Sequence, residues 1–154
     1  MASAFTPVIF YQDPIAALKW LEAAFGFETS MLAVDDAGRV GHAEMTFEGS
    51  VLDVGGEWAS AELLGPAAMK SPASLGGAGT QFIRVDVTDV DAHHDRAKAS
   101  GARITQAPQD QFYGARTYRA LDLEGHVWNF SQTIAQMSVD EMSQASGLKF
   151  TTSV

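Results

Sequence analysis

An α+β fold of two βαβββ modules, whose strands form a curled mixed sheet around a cavity, is the architecture this chain of 154 residues predicts. Three observations carry that prediction. One order of segments, a strand, a capped helix and three further strands, runs through the first half and returns in the second. Each helix has an aspartate at its start and a glycine at its end. Near the end, two alternating segments flank Asp122-Leu123-Glu124-Gly125, a turn whose glycine takes positive φ without steric cost.

The elements follow in order. Residues 8–11 are an apolar strand. Asp13 is the N-cap of a helix with Pro14 at its first position, where the missing N–H costs nothing. Ile15, Leu18, Leu21 and Phe25 then recur at spacings of three and four as one apolar stripe, and Gly26 ends the helix. Strands are expected over 31–34, 40–47 and 51–55. Residues 65–78, rich in Gly, Pro, Ser and Ala, read as a linker or flexible lobe. The second pass has a strand over 82–87, a cap at Thr88 or Asp89 and a helix over 90–100 with Val90, Ala97 and part of the His93-His94 pair inward. Gly101 stops it, and strands over 104–107, 116–121 and 126–132 complete the module. Ser138, followed by Asp140 and Glu141, caps a peripheral helix. The expected organisation is one domain over 1–133, with modules at about 5–64 and 79–133, and a helix and tail over 134–154.

Composition narrows the function. A hydrophobic share of 46% supplies a buried interior, and a net charge of −9 gives nucleic acid no electrostatic footprint. The chain has no cysteine, which removes disulfides, thiolate nucleophiles and Cys-based zinc sites together. The first residues lack a basic segment followed by an apolar one, and no stretch is long enough to span a bilayer. A cytoplasmic protein with neither nucleic acid nor membrane as partner is the expectation.

Two motifs add a family resemblance. Tyr113-Gly114, Arg116, Tyr118, Asp122, Gly125-His126, Trp128 and Phe130 form one; Asp13-Pro14, Ala17, Trp20-Leu21 and Phe25-Gly26-Phe27 form the other. Together with the double βαβββ pattern they resemble the glyoxalase/bleomycin resistance (vicinal oxygen chelate) superfamily over about residues 6 to 133. The resemblance implies two modules curling around a shared cavity and a homodimer. It leaves the chemistry open, because the fold hosts isomerases, dioxygenases, lyases and non-catalytic binders.

Enzymes of the family hold a divalent ion with four His, Glu or Gln side chains from the first and last strand of each module. Carried onto this chain, those positions fall at Thr6, Asp53, Phe82 (Gln81 if the register slips by one) and Asn129. One carboxylate, an amide and a hydroxyl are too few strong donors for Ni²⁺, Zn²⁺ or Fe²⁺, so neither a metal nor another cofactor is expected. The histidines do not restore the set. His93 and His94 are neighbours on a helix and diverge around its axis, which suits a solvated or cap-side role. His126 shares a strand face with Trp128 and Phe130 and plugs a sheet edge with one hydrogen bond. His42 differs: with Ala43, Met45 and Phe47 facing the helix, His42, Glu44 and Thr46 face the concave side.

The same alternation gives a pocket lining of Phe10, His42, Glu44, Asp53, Phe82, Arg84, Arg116, Tyr118 and Asn129, with Val8, Val51, Val127 and Ser131 beside them. Trp58 precedes the linker and is expected to close over a bound ring, Trp20 to be a boundary residue or dimer contact, and Tyr113-Gly114 a loop or lid. The expected function is non-covalent binding of a small planar or aromatic molecule by a homodimer, as in drug or toxic-metabolite sequestration. The alternative is a lyase, isomerase or dioxygenase in which His42 and Glu44 move a proton on a small carbonyl compound.

Overall fold

The structure, a computed structural model, describes residues 4–154. The first module runs β1 (Val8–Tyr11), α1 (Pro14–Phe25), β2 (Glu28–Val34), β3 (Val40–Phe47) and β4 (Ser50–Gly56), followed by α2 (Glu57–Leu64). The second runs β5 (Phe82–Asp86), α3 (Val90–Ala99), β6 (Arg103–Asp110), β7 (Ala115–Leu121) and β8 (Val127–Thr133), and α4 (Val139–Ser146) closes the chain. The anticipated caps form. The Asp13 carboxylate accepts from the Ala16 N–H at 3.0 Å, that of Asp89 from the Ala92 N–H at 3.0 Å, and Ser138 with Glu141 makes a capping box.

The modules form two four-stranded sheets ordered β1-β4-β3-β2 and β5-β8-β7-β6. In each, the first strand lies parallel to the last and the others are antiparallel. Val8 stands opposite Asp53 in one sheet and Arg84 opposite Asn129 in the other, so one register serves both modules. The sheets are curled without closing into a barrel.

One core lies between the modules. Ile9, Tyr11, Met45, Leu52 and Val54 project into it from the first sheet, Tyr118, Ala120, Trp128 and Phe130 from the second, and α1 and α3 cover both. Phe25, at the end of α1, meets the rings of Phe130 at 4.7 Å and Trp128 at 5.4 Å. Each sheet thus has one face filled by the core; the other face is open in part, with Phe82 exposed on the second sheet but Thr117, Asn129 and Ser131 buried.

Three features depart from the expected elements. β6 runs through Pro108 to Asp110; it is an edge strand, where a residue without an N–H leaves no ladder bond unmade. β2 begins at Glu28 although most of its residues are exposed, because its pairing with β3, not burial, sustains it. The helix α2 was not anticipated. Its Glu57 carboxylate accepts from the Ser71 N–H at 2.7 Å and the Ser74 hydroxyl at 2.6 Å, which ties down the 65–78 segment and buries Ser71 and Pro72. No helix among the described residues is long and apolar enough to cross a membrane.

Candidate functional site

The open face of the first sheet is set by alternation along β3 and β4. Ala43, Met45, Leu52 and Val54 are buried, and the residues between them point the other way. Glu44 stands directly opposite Asp53, and His42 Nε2 lies 3.6 Å from Glu44 Oε1. One ligand atom from each of His42, Glu44 and Asp53 falls within 4.8 Å of the others. On the neighbouring strand Phe10 sits opposite Gly55, where a Cβ would stand only 2.9 Å from the Phe10 ring. Phe10, His42, Glu44 and Asp53 are therefore brought to one face, as expected.

On the second sheet Phe82, Arg84 and Asn129 share the face away from the core, Phe82 being 59% exposed and Asn129 buried. Arg84 is held by Asp86 at 2.8 Å. Arg116 and Tyr118 are corrections to the expected lining. Tyr118 pairs with Phe130 and Arg116 with Gln132, which puts both on the face opposite Asn129. The cause is the register of the β7–β8 hairpin, which sets the strands' relative parity and which alternation within a single strand does not reveal. Tyr118 is fully buried, and burial pushes its phenol well above the usual range. Arg116 spans Asp91 at 3.0 Å and Asp110 at 2.8 Å, and those bonds raise its pKa further.

Trp58 is a third correction. Its indole covers Gly56, on the Leu52 and Val54 side of β4, with the Arg39 guanidinium 4.3 Å above the ring. A glycine floor under a stacked arginine seats this tryptophan on the sheet face opposite His42. Trp20 packs edge-on against Phe25 at 5.0 Å. Gly114 is no free hinge: its carbonyl accepts from the N–H groups of Ile134 at 2.9 Å and Ala135 at 3.1 Å.

His93 is the member of the His93-His94 pair that turns inward, and it takes no solvated or cap-side role. Its Nε2 donates to the Phe25 carbonyl at 2.9 Å, which leaves Nδ1 of the neutral ring to accept from the Tyr118 hydroxyl at 2.6 Å. Burial, then the nearby Arg96 charge, lower its pKa, against an opposing effect of the Phe25 bond. His126 makes the expected single side-chain bond, to the Phe10 carbonyl at 2.8 Å, and that bond joins the two modules.

A cleft of about 390 Å³ opens between the modules where the β3–β4 turn approaches β5. Phe5, Phe27, Phe47, Val51, Arg84 and Trp128 are among its walls. Of these, Arg84 and Val51 were foreseen in the pocket lining. The rest escape sequence reasoning because the cleft comes from the docking of one module on the other, which no local periodicity encodes.

The positions where the family's metal ligands fall do not assemble a donor set. Thr6 is exposed ahead of β1, Phe82 offers no donor, and Asp53 and Asn129 supply only one carboxylate and one amide. Comparison with known proteins gives the remaining context. The family model described as Glyoxalase/Bleomycin resistance protein/Dioxygenase superfamily matches residues 5–130. Uncharacterized proteins of Mycobacterium bovis and Mycobacterium tuberculosis are 29% identical over 142 residues, 92% of this chain and 91% and 81% of theirs. The crystal structure of TioX from Micromonospora sp. ML1 is similar at 31% identity and a TM-score of 0.63, over 86% of this chain and 99% of that one. A glyoxalase/bleomycin resistance protein/dioxygenase from Nocardioides shares the fold at 18% identity and a TM-score of 0.64, over 88% and 89% of the two chains.

Proposed function

This chain belongs to the glyoxalase/bleomycin resistance protein/dioxygenase superfamily, and from that premise we propose that it binds a small planar or aromatic molecule non-covalently. The inter-module cleft carries this reading. Its volume of about 390 Å³ suits such a molecule. Its walls include Phe47 for stacking over a floor of Phe27 and Trp128, and Arg84, which Asp86 also holds, offers donors to an anionic group. Burial of apolar surface with one or two oriented contacts is sufficient for sequestration of a drug or toxic metabolite in the cytoplasm.

Titration calorimetry with naphthalene-2-sulfonate, a flat aromatic anion, tests the reading. Arg84→Ala should weaken binding about tenfold, since a charge-assisted contact is worth about 1.5 kcal/mol or more, and Val51→Trp should block it by filling the cleft. Unchanged affinity in both variants would place the ligand elsewhere.

The proposal includes a homodimer. Along the β2 edge, Met31, Leu32 and Val34 are 42%, 46% and 53% exposed, an apolar strand edge that invites pairing. Trp20, this edge and the segment from Ser138 are the surfaces we assign to the two-fold contact. A second reading, in which Glu44 takes a proton from a small carbonyl compound with His42 as its partner, draws on their 3.6 Å separation.

A further inference from the structure

We propose that His42, Glu44 and Asp53 form a binding site for one divalent first-row transition-metal ion on the open face of the first sheet. The site lies on the same strands as one wall of the cleft, with Thr46 and Val51 of that wall next along the two strands from Glu44 and Asp53, and two of its three donors come from β3, which supplies none of the positions carried over from the family pattern.

The geometry comes from two adjacent antiparallel strands. Glu44 and Asp53 are a directly opposed pair, and His42 is two residues before Glu44 on the same face. Their ligand atoms already lie within 4.8 Å of one another. Metal–donor bonds of about 2.0–2.2 Å require donors no more than about 4.2 Å apart, so small rotations about the side-chain bonds close the set.

A second observation concerns charge. Like charges directly opposite each other on neighbouring strands are destabilising, yet among the described residues no Lys or Arg forms an ion pair with Glu44 or Asp53. No hydrogen bond to either carboxylate forms among the described residues, and His42 Nε2 lies 3.6 Å from Glu44. The flanks are apolar: Val8 stands opposite Asp53, Phe10 opposite Gly55, Met31 opposite Glu44 and Ala33 opposite His42. Two opposed carboxylates with no Lys or Arg partner, beside an imidazole, are what a cation would relieve.

The donor types select the ion. One imidazole with two carboxylates suits Zn²⁺, Mn²⁺, Fe²⁺ or Ni²⁺ better than an all-oxygen Ca²⁺ or Mg²⁺ site. Three protein ligands also leave coordination positions for water or for oxygen atoms of a bound molecule.

The test is titration calorimetry of ZnCl₂, and separately MnCl₂, into the full, tag-free chain after chelator treatment and dialysis. One ion per chain should bind, and zinc should raise the melting temperature. His42→Ala and Asp53→Asn should each weaken binding by more than about tenfold, because losing even a supporting hydrogen bond to a ligand costs about 10–100-fold. Asp53→Asn also removes the carboxylate repulsion, so without metal it should melt at or above the wild-type temperature, which separates lost binding from lost folding. His94→Ala, which removes the other His–carboxylate pair, 2.9 Å long on α3, should leave zinc binding unchanged. No saturable binding to the wild type at about 1 mM ion, an affinity under about 4 kcal/mol, would overturn the proposal. So would wild-type affinity in His42→Ala and Asp53→Asn.

Discussion

Asp122 shows how much one residue organises. Its Oδ2 accepts from the Tyr11 hydroxyl at 2.7 Å and the Trp128 indole N–H at 3.1 Å, while Oδ1 accepts from the backbone N–H groups of Glu124 and His126, both at 3.0 Å. The same carboxylate closes a turn and satisfies two buried aromatic donors from different modules. Burial, and then the Asp122 charge, hold the Tyr11 phenol far above its ordinary pKa. Asp122→Ala should therefore cost about 3 kcal/mol or more in urea unfolding, because several donors lose their acceptor at once, and Tyr11→Phe about 1–2 kcal/mol. His93 supplies a pH dependence. Its folded pKa lies below the unfolded value of about 6.5, so the folded state binds its proton less readily than the unfolded chain does. The resulting stability is complete above about pH 6.5 and is lost as pH falls toward the folded pKa. Denaturant melts from about pH 7 down to 5.5 should show less loss of stability in His93→Gln than in wild type. In the sequence Asp122 was legible only as a turn residue and His93 only as a helical one, since Tyr11, which Asp122 meets, and Phe25 and Tyr118, which His93 meets, are distant along the chain.

The helices were the most legible elements, because their caps and glycine stops are local chemistry. What fastens them was not. Arg96 of α3 donates to the carbonyls of Glu22 and Ala23 at 2.8 and 2.9 Å, meeting the negative end of α1 with a positive charge. The strands were legible in existence and less so in pairing. His42, Glu44 and Asp53 fell on one face as alternation predicts, whereas Arg116 and Tyr118 did not, because hairpin register decides which faces of two strands coincide. The entrance to β7 gives a clear test. Gly114 has φ 83, and a Cβ there would overlap the Ala135 carbonyl oxygen. Gly38 has φ 77 with open space around it. Gly114→Ala should thus destabilise by more than about 2 kcal/mol and Gly38→Ala by about 1 kcal/mol, the ordinary cost of left-handed backbone for an L-residue. Paired thermal melts measure the difference; equal effects would mean the Gly114 turn has room to shift.

At the scale of the molecule, the shared core couples the modules. Phe25 is completely buried and contacts Trp20, Phe27, His93, Trp128 and Phe130, so its neighbours come from both halves. Phe25→Ala should cost about 3–5 kcal/mol. In the wild type, unfolding followed by tryptophan fluorescence and by far-ultraviolet circular dichroism should coincide; separated transitions would show modules that unfold independently. The proposed homodimer belongs to this scale as well. Sedimentation at micromolar concentration should give twice the 16.4 kDa chain mass, and replacing Leu32 in the exposed β2 edge with lysine should shift the equilibrium toward monomer. A wild-type sedimentation profile of pure monomer would remove the dimer from the proposal.

The sequence by itself determined the two βαβββ modules, the ends of α1 and α3 and which residues of a strand share a face, because capping, glycine stops and two-residue alternation act over a few neighbouring residues. It also carried the motifs of the superfamily. Only the tertiary structure decided which faces of paired strands coincide, where His93 and Trp58 are seated and Tyr118 is buried, and where a cleft opens. Each of these depends on contacts between segments far apart in the chain, and the energy of such a contact depends on both partners and on the docking geometry that brings them together.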